Sequence, residues 1–128
     1  MRKCLLYAAV GTVGLLGMAT SLAAAADMSR GERLFMRCER CHSLEPGGST
    51  EDGPSLHGVF GRKAGTANGF AFSEALKSSE VVWTDETLDQ FLADPKAFIP
   101  DNTMNMPPVR KPEDRADVIA ILHEKLKQ

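Results

Sequence analysis

Five consecutive residues, Cys38-Glu39-Arg40-Cys41-His42, place two thiols three positions apart with an imidazole directly after the second. Thiols at this spacing can add across the two vinyl groups of a haem, and the adjacent imidazole then lies under the ring to bind iron. Cys-x-x-Cys-His is the attachment pattern of c-type haem. His supplies a neutral nitrogen, a strong ligand for haem iron. Zinc would want four ligands and usually a second Cys or His pair nearby, yet the only other cysteine is Cys4. A thioredoxin-like redox pair belongs in a βαβ setting, and this chain has little strand pattern. The motif therefore predicts one covalent haem c on Cys38 and Cys41, with His42 on the iron.

Iron with one His ligand keeps a sixth position that is either open for chemistry or closed by a second side chain. Met is the common closing ligand in electron carriers, because a thioether favours reduced iron and raises the potential. Met28 and Met36 fall on or beside the same helix as Cys38, too close to it to cross the ring, and read as filler or exposed residues. His57 follows the motif in a loop, and His123 sits late on the last helix, where a solvated or packing role is expected. Met104 and Met106 remain. Both lie in Ile99-Pro100-Asp101-Asn102-Thr103-Met104-Asn105-Met106-Pro107-Pro108, where the prolines stiffen a non-helical loop suited to holding a thioether against iron.

The residues around these ligands say how they are positioned and where. Arg2 and Lys3 precede an uncharged run over residues 4–26, with an apolar centre and four alanines at its end. Basic start, apolar middle and small-residue end predict a secretory signal peptide over residues 1–26, cleaved near Ala26. An uncleaved membrane anchor is the alternative, since the run is long enough to span. Export of a haem-bearing chain points to a bacterial periplasm. Residues 27–128 then form one small monohaem domain. Its 13 basic and 17 acidic residues give a net charge of −4, which argues against nucleic acid or an anionic membrane surface as partner. A core this small gains much apolar surface from a buried haem, so the haem-free chain is expected to fold poorly.

Within that domain the pattern is all-α. Ser29-Arg30-Gly31-Glu32 fits a capping box, and Leu34 and Phe35 give the helix after it an apolar face that delivers Cys38. Residues 46–69 hold seven glycines and two prolines with no sustained period, which is loop. Gly61-Arg62-Lys63-Ala64-Gly65-Thr66 lacks the ending and the preceding strand of a phosphate loop. Residues 73–77 predict a short helix. Thr84 can cap a helix with Asp85 and Glu86 in its first turn, with Leu88, Phe91 and Leu92 on one face and Pro95 as its end. The last helix opens at Pro112, with a stripe of Val118, Ile119, Leu122 and Leu126.

Taken together these segments resemble the class I cytochromes c, the soluble carriers of mitochondria and photosynthetic bacteria. The likeness runs through the haem motif, residues 53–65, Trp83, residues 88–100 and residues 112–120. It implies a small cytochrome c fold, with N- and C-terminal helices packed together and loops wrapping one haem. The family's spacing from the proline matched by Pro100 puts Met104 on iron and Met106 where a haem-packing Phe usually stands. Some shorter bacterial relatives instead place the ligand directly before Pro-Pro, as Met106 is here. Carried over residue by residue, the resemblance has the Pro54 carbonyl accept the proton of His42, and Arg62, Trp83 and Ser73 bind a haem propionate. Arg37, Lys96, Arg110 and Lys111 map onto positions ringing the exposed haem edge. Phe72 and Phe91 stand where many relatives have Tyr, and Asp101 and Pro108 replace glycines of the Met loop.

Two functions follow. The first is a monomeric periplasmic carrier that passes single electrons between membrane-bound or periplasmic redox proteins and is not an enzyme. The second is a haem module of an enzyme or sensor, whose labile Met yields to peroxide or a small gas.

Overall fold

The computed structural model describes residues 26–127; the segment read as a signal peptide lies, but for Ala26, outside the described residues. Five helices follow in order: α1 (Met28–Phe35), α2 (Glu74–Ser78), α3 (Asp85–Ala93), α4 (Pro95–Phe98) and α5 (Pro112–Lys125). Among the described residues there is no strand. One isolated antiparallel bridge joins Lys63 to Val82.

The framework is the pair α1 and α5, the first and last helices, which pack on one another. Gly31 allows their close approach: a Cβ there would lie 2.7 Å from the Asp117 carbonyl oxygen and 2.7 Å from Ile121 Cγ1. Phe35, one helical turn on, is 1 % exposed, and Ile121 is 2 % exposed. Charges flank this apolar seam. Arg30 Nε meets Asp117 Oδ2 at 2.5 Å, and Lys125 Nζ meets Glu39 at 3.1 Å. The Lys125 ammonium also stands 5.6 Å from the centre of the Phe35 ring.

The start of α1 differs from the expected capping box. Asp27 is the N-cap, accepting the Arg30 N–H at 3.0 Å and the Ser29 hydroxyl at 2.8 Å. Ser29 lies inside the first turn, two residues past the cap. An ionised carboxylate is the stronger acceptor at a helix start, and it also faces the dipole favourably. Past Phe35 the chain keeps coiling in tight turns, with Cys38 N–H on Phe35 O at 2.8 Å and His42 N–H on Cys38 O at 2.9 Å. The haem motif is thus an extension of α1.

Thr84 caps α3 as expected, in a reciprocal box with Thr87. Pro95 does more than end it. Asp94 closes α3 and its side chain caps α4 by accepting the Ala97 N–H at 3.1 Å, with Pro95 in the first helical position. Proline has no N–H to lose there. Arg115, 9 % exposed, reaches from α5 to Asp89 on α3 at 2.7 Å and to the Val109 and Arg110 carbonyls, both at 3.0 Å. One guanidinium therefore locks α5, α3 and the end of the Met loop together. No helix among the described residues is long and apolar enough to cross a membrane.

Candidate functional site

A cavity of about 1080 Å³, its open mouth included, lies between the haem motif, residues 52–72, α3 and the loop before α5. Cys38, Cys41, His42, Pro54, Arg62, Trp83, Met104 and Met106 all line it. These residues come from four separate stretches of chain. The fold brings together every expected haem contact except one. Ser73 does not line the cavity; its hydroxyl caps α2 by accepting the Leu76 N–H at 3.3 Å.

Both thiols are free and half-buried. Burial pushes the Cys38 thiol up to about 11. Burial also holds the His42 imidazole below its ordinary pKa, and the bond to Pro54 opposes this only in part. The ring is therefore neutral at pH 7. Its Nδ1 lies 2.7 Å from the Pro54 carbonyl, which fixes the proton on that nitrogen and leaves Nε2 as a lone-pair donor. Gly53 makes this geometry possible, because a Cβ there would fall 2.8 Å from both His42 Nδ1 and Cε1. Thr50 secures the same corner by donating to the Cys41 carbonyl at 2.6 Å.

Arg62 donates to the carbonyls of His57 and Ser55, both at 2.8 Å. Burial pulls its guanidinium below the ordinary value, and no carboxylate among the described residues pairs with it. Trp83 is 8 % exposed, and its backbone N–H bonds the Arg62 carbonyl at 2.9 Å. That bond seats the two side by side at the cavity wall. A half-buried cation without a carboxylate partner among the described residues, beside Trp83 at the same wall, suits an acidic group.

The Met loop is held by a residue that sequence reasoning missed. Asn102 is 3 % exposed. Its amide donates to the Pro95 and Ile99 carbonyls, both at 2.7 Å, and its side-chain oxygen accepts the Met104 N–H at 3.0 Å. Lys96 donates from its ammonium to the Asn102 carbonyl, so this lysine, expected at the haem edge, is tied to the loop. The available signal was an Asn two residues before a ligand candidate, the spacing of a side chain that bonds its own backbone. Asp101 has φ 63°, the left-handed region that glycine enters without strain. That explains why glycine is usual at this point of the loop.

His57 is exposed and does not line the cavity. His123 stacks flat on Phe60, with ring centres 3.8 Å apart, and bonds Asp85 at 2.7 Å. It packs with one face and stays partly solvated, the two roles expected of it.

A neutral imidazole, two unpaired thiols, two thioethers and an unpaired guanidinium around one large apolar cavity fit a haem, and the site defines a c-type haem protein. The comparisons carry this to a family. The cytochrome c family model matches residues 28–124. The chain is 47 % identical to cytochrome c of Chlamydomonas reinhardtii over 103 residues, covering 80 % of this chain and 92 % of that one. It is 42 % identical to cytochrome c2 of Blastochloris viridis over 113 residues, covering 87 % and 89 %. The solved structure of cytochrome cH from Methylobacterium extorquens aligns with TM-score 0.70 and 42 % identity, over 77 % of this chain and 99 % of that one. The chain belongs to the cytochrome c family, as a class I cytochrome c, and its cofactor is one covalently attached haem c.

Proposed function

We propose that this chain is an exported periplasmic electron carrier. Cys38 and Cys41 would attach the haem, and His42 and Met104 would ligate its iron. The observation that carries the reading is that His42 and the anchored Met104 line the same cavity. With both ligands supplied by the protein, no substrate would reach the metal. The haem supplies one-electron chemistry; the protein sets the potential through its axial ligands, hydrogen bonds and burial. Pro54 keeps His42 in the tautomer and orientation needed for ligation. Arg62 and Trp83 neutralise and bond a propionate. Asn102 favours Met104 over Met106, because it grips the Met104 backbone directly. The apolar lining excludes water, so little solvent has to rearrange as charge moves. Its partners are redox proteins that dock transiently, and Arg37, Arg110 and Lys111 are available to steer them.

Paired substitutions test the ligand. Met104→Ala is expected to abolish the weak red-edge charge-transfer band of Met-ligated haem. It should also lower the potential on the order of 100 mV, part of the ~0.8 V range that axial ligands command. Met106→Ala should keep the band. The opposite pattern would move the ligand to Met106. Rapid carbon monoxide binding by the reduced wild-type protein would sink the carrier reading in favour of a gas- or peroxide-responsive module.

A further inference from the structure

Asp117 on α5 is 2 % exposed and carries a carboxylate. Arg30 Nε bonds its Oδ2 at 2.5 Å, and its Oδ1 accepts the backbone N–H of Asp27 at 2.8 Å. A single neutral peptide N–H is a weak partner for a carboxylate oxygen buried this deeply. The charges around that nitrogen are also unequal. On the α1 side stand the Asp27 carboxylate, Arg30 and Arg33, and on α5 stand Asp114 and Asp117. Three anions face two cations. The position of a third cation is the Asp27 nitrogen itself, which directly follows the four alanines that end the expected export signal.

We propose that hydrolysis of the Ala26–Asp27 bond makes the ligand for which this carboxylate is placed, the α-ammonium of Asp27, and that Asp117 captures it at the junction of α1 and α5. The proposal rests on the reading of residues 1–26 as an export signal. An export endopeptidase breaks the C–N bond, and water supplies hydroxyl to the Ala26 carbonyl and a proton to the Asp27 nitrogen. A further solvent proton makes the amine an ammonium. The neutral hydrogen bond then becomes an ion pair, and the local charge balances. Removal of the signal thereby fastens the first helix to the last. An ammonium so held has its pKa raised in the folded state. Its stabilisation is complete below the ordinary amine range and disappears as pH rises through the raised value.

The test uses the holoprotein exported from the full-length gene. Intact mass locates the N-terminus, and NMR of the isotope-labelled, reductively methylated α-amine follows its titration. The expected result is a chain starting at Asp27, with an amine titrating about one pH unit above the ordinary range of about 7.7–8.0. In Asp117→Asn the amine should return to that range. A form retaining Ala26 moves the amine about 3.8 Å along the chain. It should titrate normally and lack the alkaline loss of melting temperature that the Asp27 form shows, which covers the case of Asp117→Asn failing to fold. A chain keeping residues 1–26 would overturn both the export reading and the capture. A chain starting at another residue, or an Asp27 amine with an ordinary pKa, would overturn the capture alone.

Discussion

The α1/α5 pair and the haem-side loops are stabilised in opposite ways. The helices meet through Gly31, Phe35, Ile121 and flanking ion pairs, so their backbone bonds are internal and their seam is filled by side chains of this chain. Residues 46–72 and 99–111 have few internal backbone bonds. They are held by short polar side chains: Thr50 on Cys41, Ser55 on Glu45, Asn102 on Pro95, Ile99 and Met104. Between them lies a cavity where the centre of a domain would be. The lesson is that the helix seam is filled by side chains alone, while the loops place Val59, Ala64 and Ile99 in the core and depend on the cofactor for the rest.

The strongest way to break that contrast is to withhold the haem. The double variant Cys38→Ala/Cys41→Ala should yield little exported protein. What is recovered should lose amide exchange protection throughout residues 46–72 and 99–111, with the greatest residual protection in α1 and α5. Equal protection in both halves would show that the loops have a core of their own.

Next in size comes a matched pair of substitutions. Gly31→Ala forces a methyl against the Asp117 carbonyl and Ile121, an overpacking that costs about 1–3 kcal/mol. It should lower the melting temperature while leaving the haem spectrum unchanged. Asn102→Ala leaves the Met104 N–H without a partner and takes one of the bonds from each of the Pro95 and Ile99 carbonyls, which keep their backbone donors, for a similar loss of about 1–3 kcal/mol. Its loss should also appear in the spectrum, as weakening of the Met–iron band. A spectrum altered by Gly31→Ala, or untouched by Asn102→Ala, would dissolve the division.

The smallest effect sharpens it. Asp101→Gly removes the left-handed strain at φ 63°, worth up to about 1 kcal/mol after the added freedom of the unfolded glycine is subtracted. A small rise in melting temperature is expected. A fall would mean that the Asp101 side chain stabilises the turn by more than its backbone strain costs.

How much of this was legible follows the same division. The stripe on α5, the Thr84 cap and Pro112 as an opening residue are periodic or local signals, and each could be read directly. The haem motif was legible because covalent chemistry demands fixed spacing. The role of Asn102 and the buried Asp117 were not, and Arg62 and Trp83 could be named only through the family resemblance. Their partners lie in distant or irregular backbone, and no period marks a side chain that bonds carbonyls in a loop. The α1 cap was misplaced by two residues because Ser29, with Glu32 three positions on, fits the capping box and Asp27, with Arg30 there, does not. Only the stronger acceptor, seated beside α5, decides between them.

The Cys38 thiol has a consequence for the order of events in the cell. Thiolate is the reactive form of cysteine, and a thiol pushed from 9.0 to about 11 holds about 100-fold less thiolate at neutral pH. Once the chain has closed around Cys38, the site is a poor place to make the bond it is shaped to keep. On the proposed role of Cys38, attachment belongs before closure, on a chain whose residues 36–42 are still open to solvent. Burial afterwards shields the finished thioether, so the same desolvation that hinders its synthesis guards it for the life of the protein.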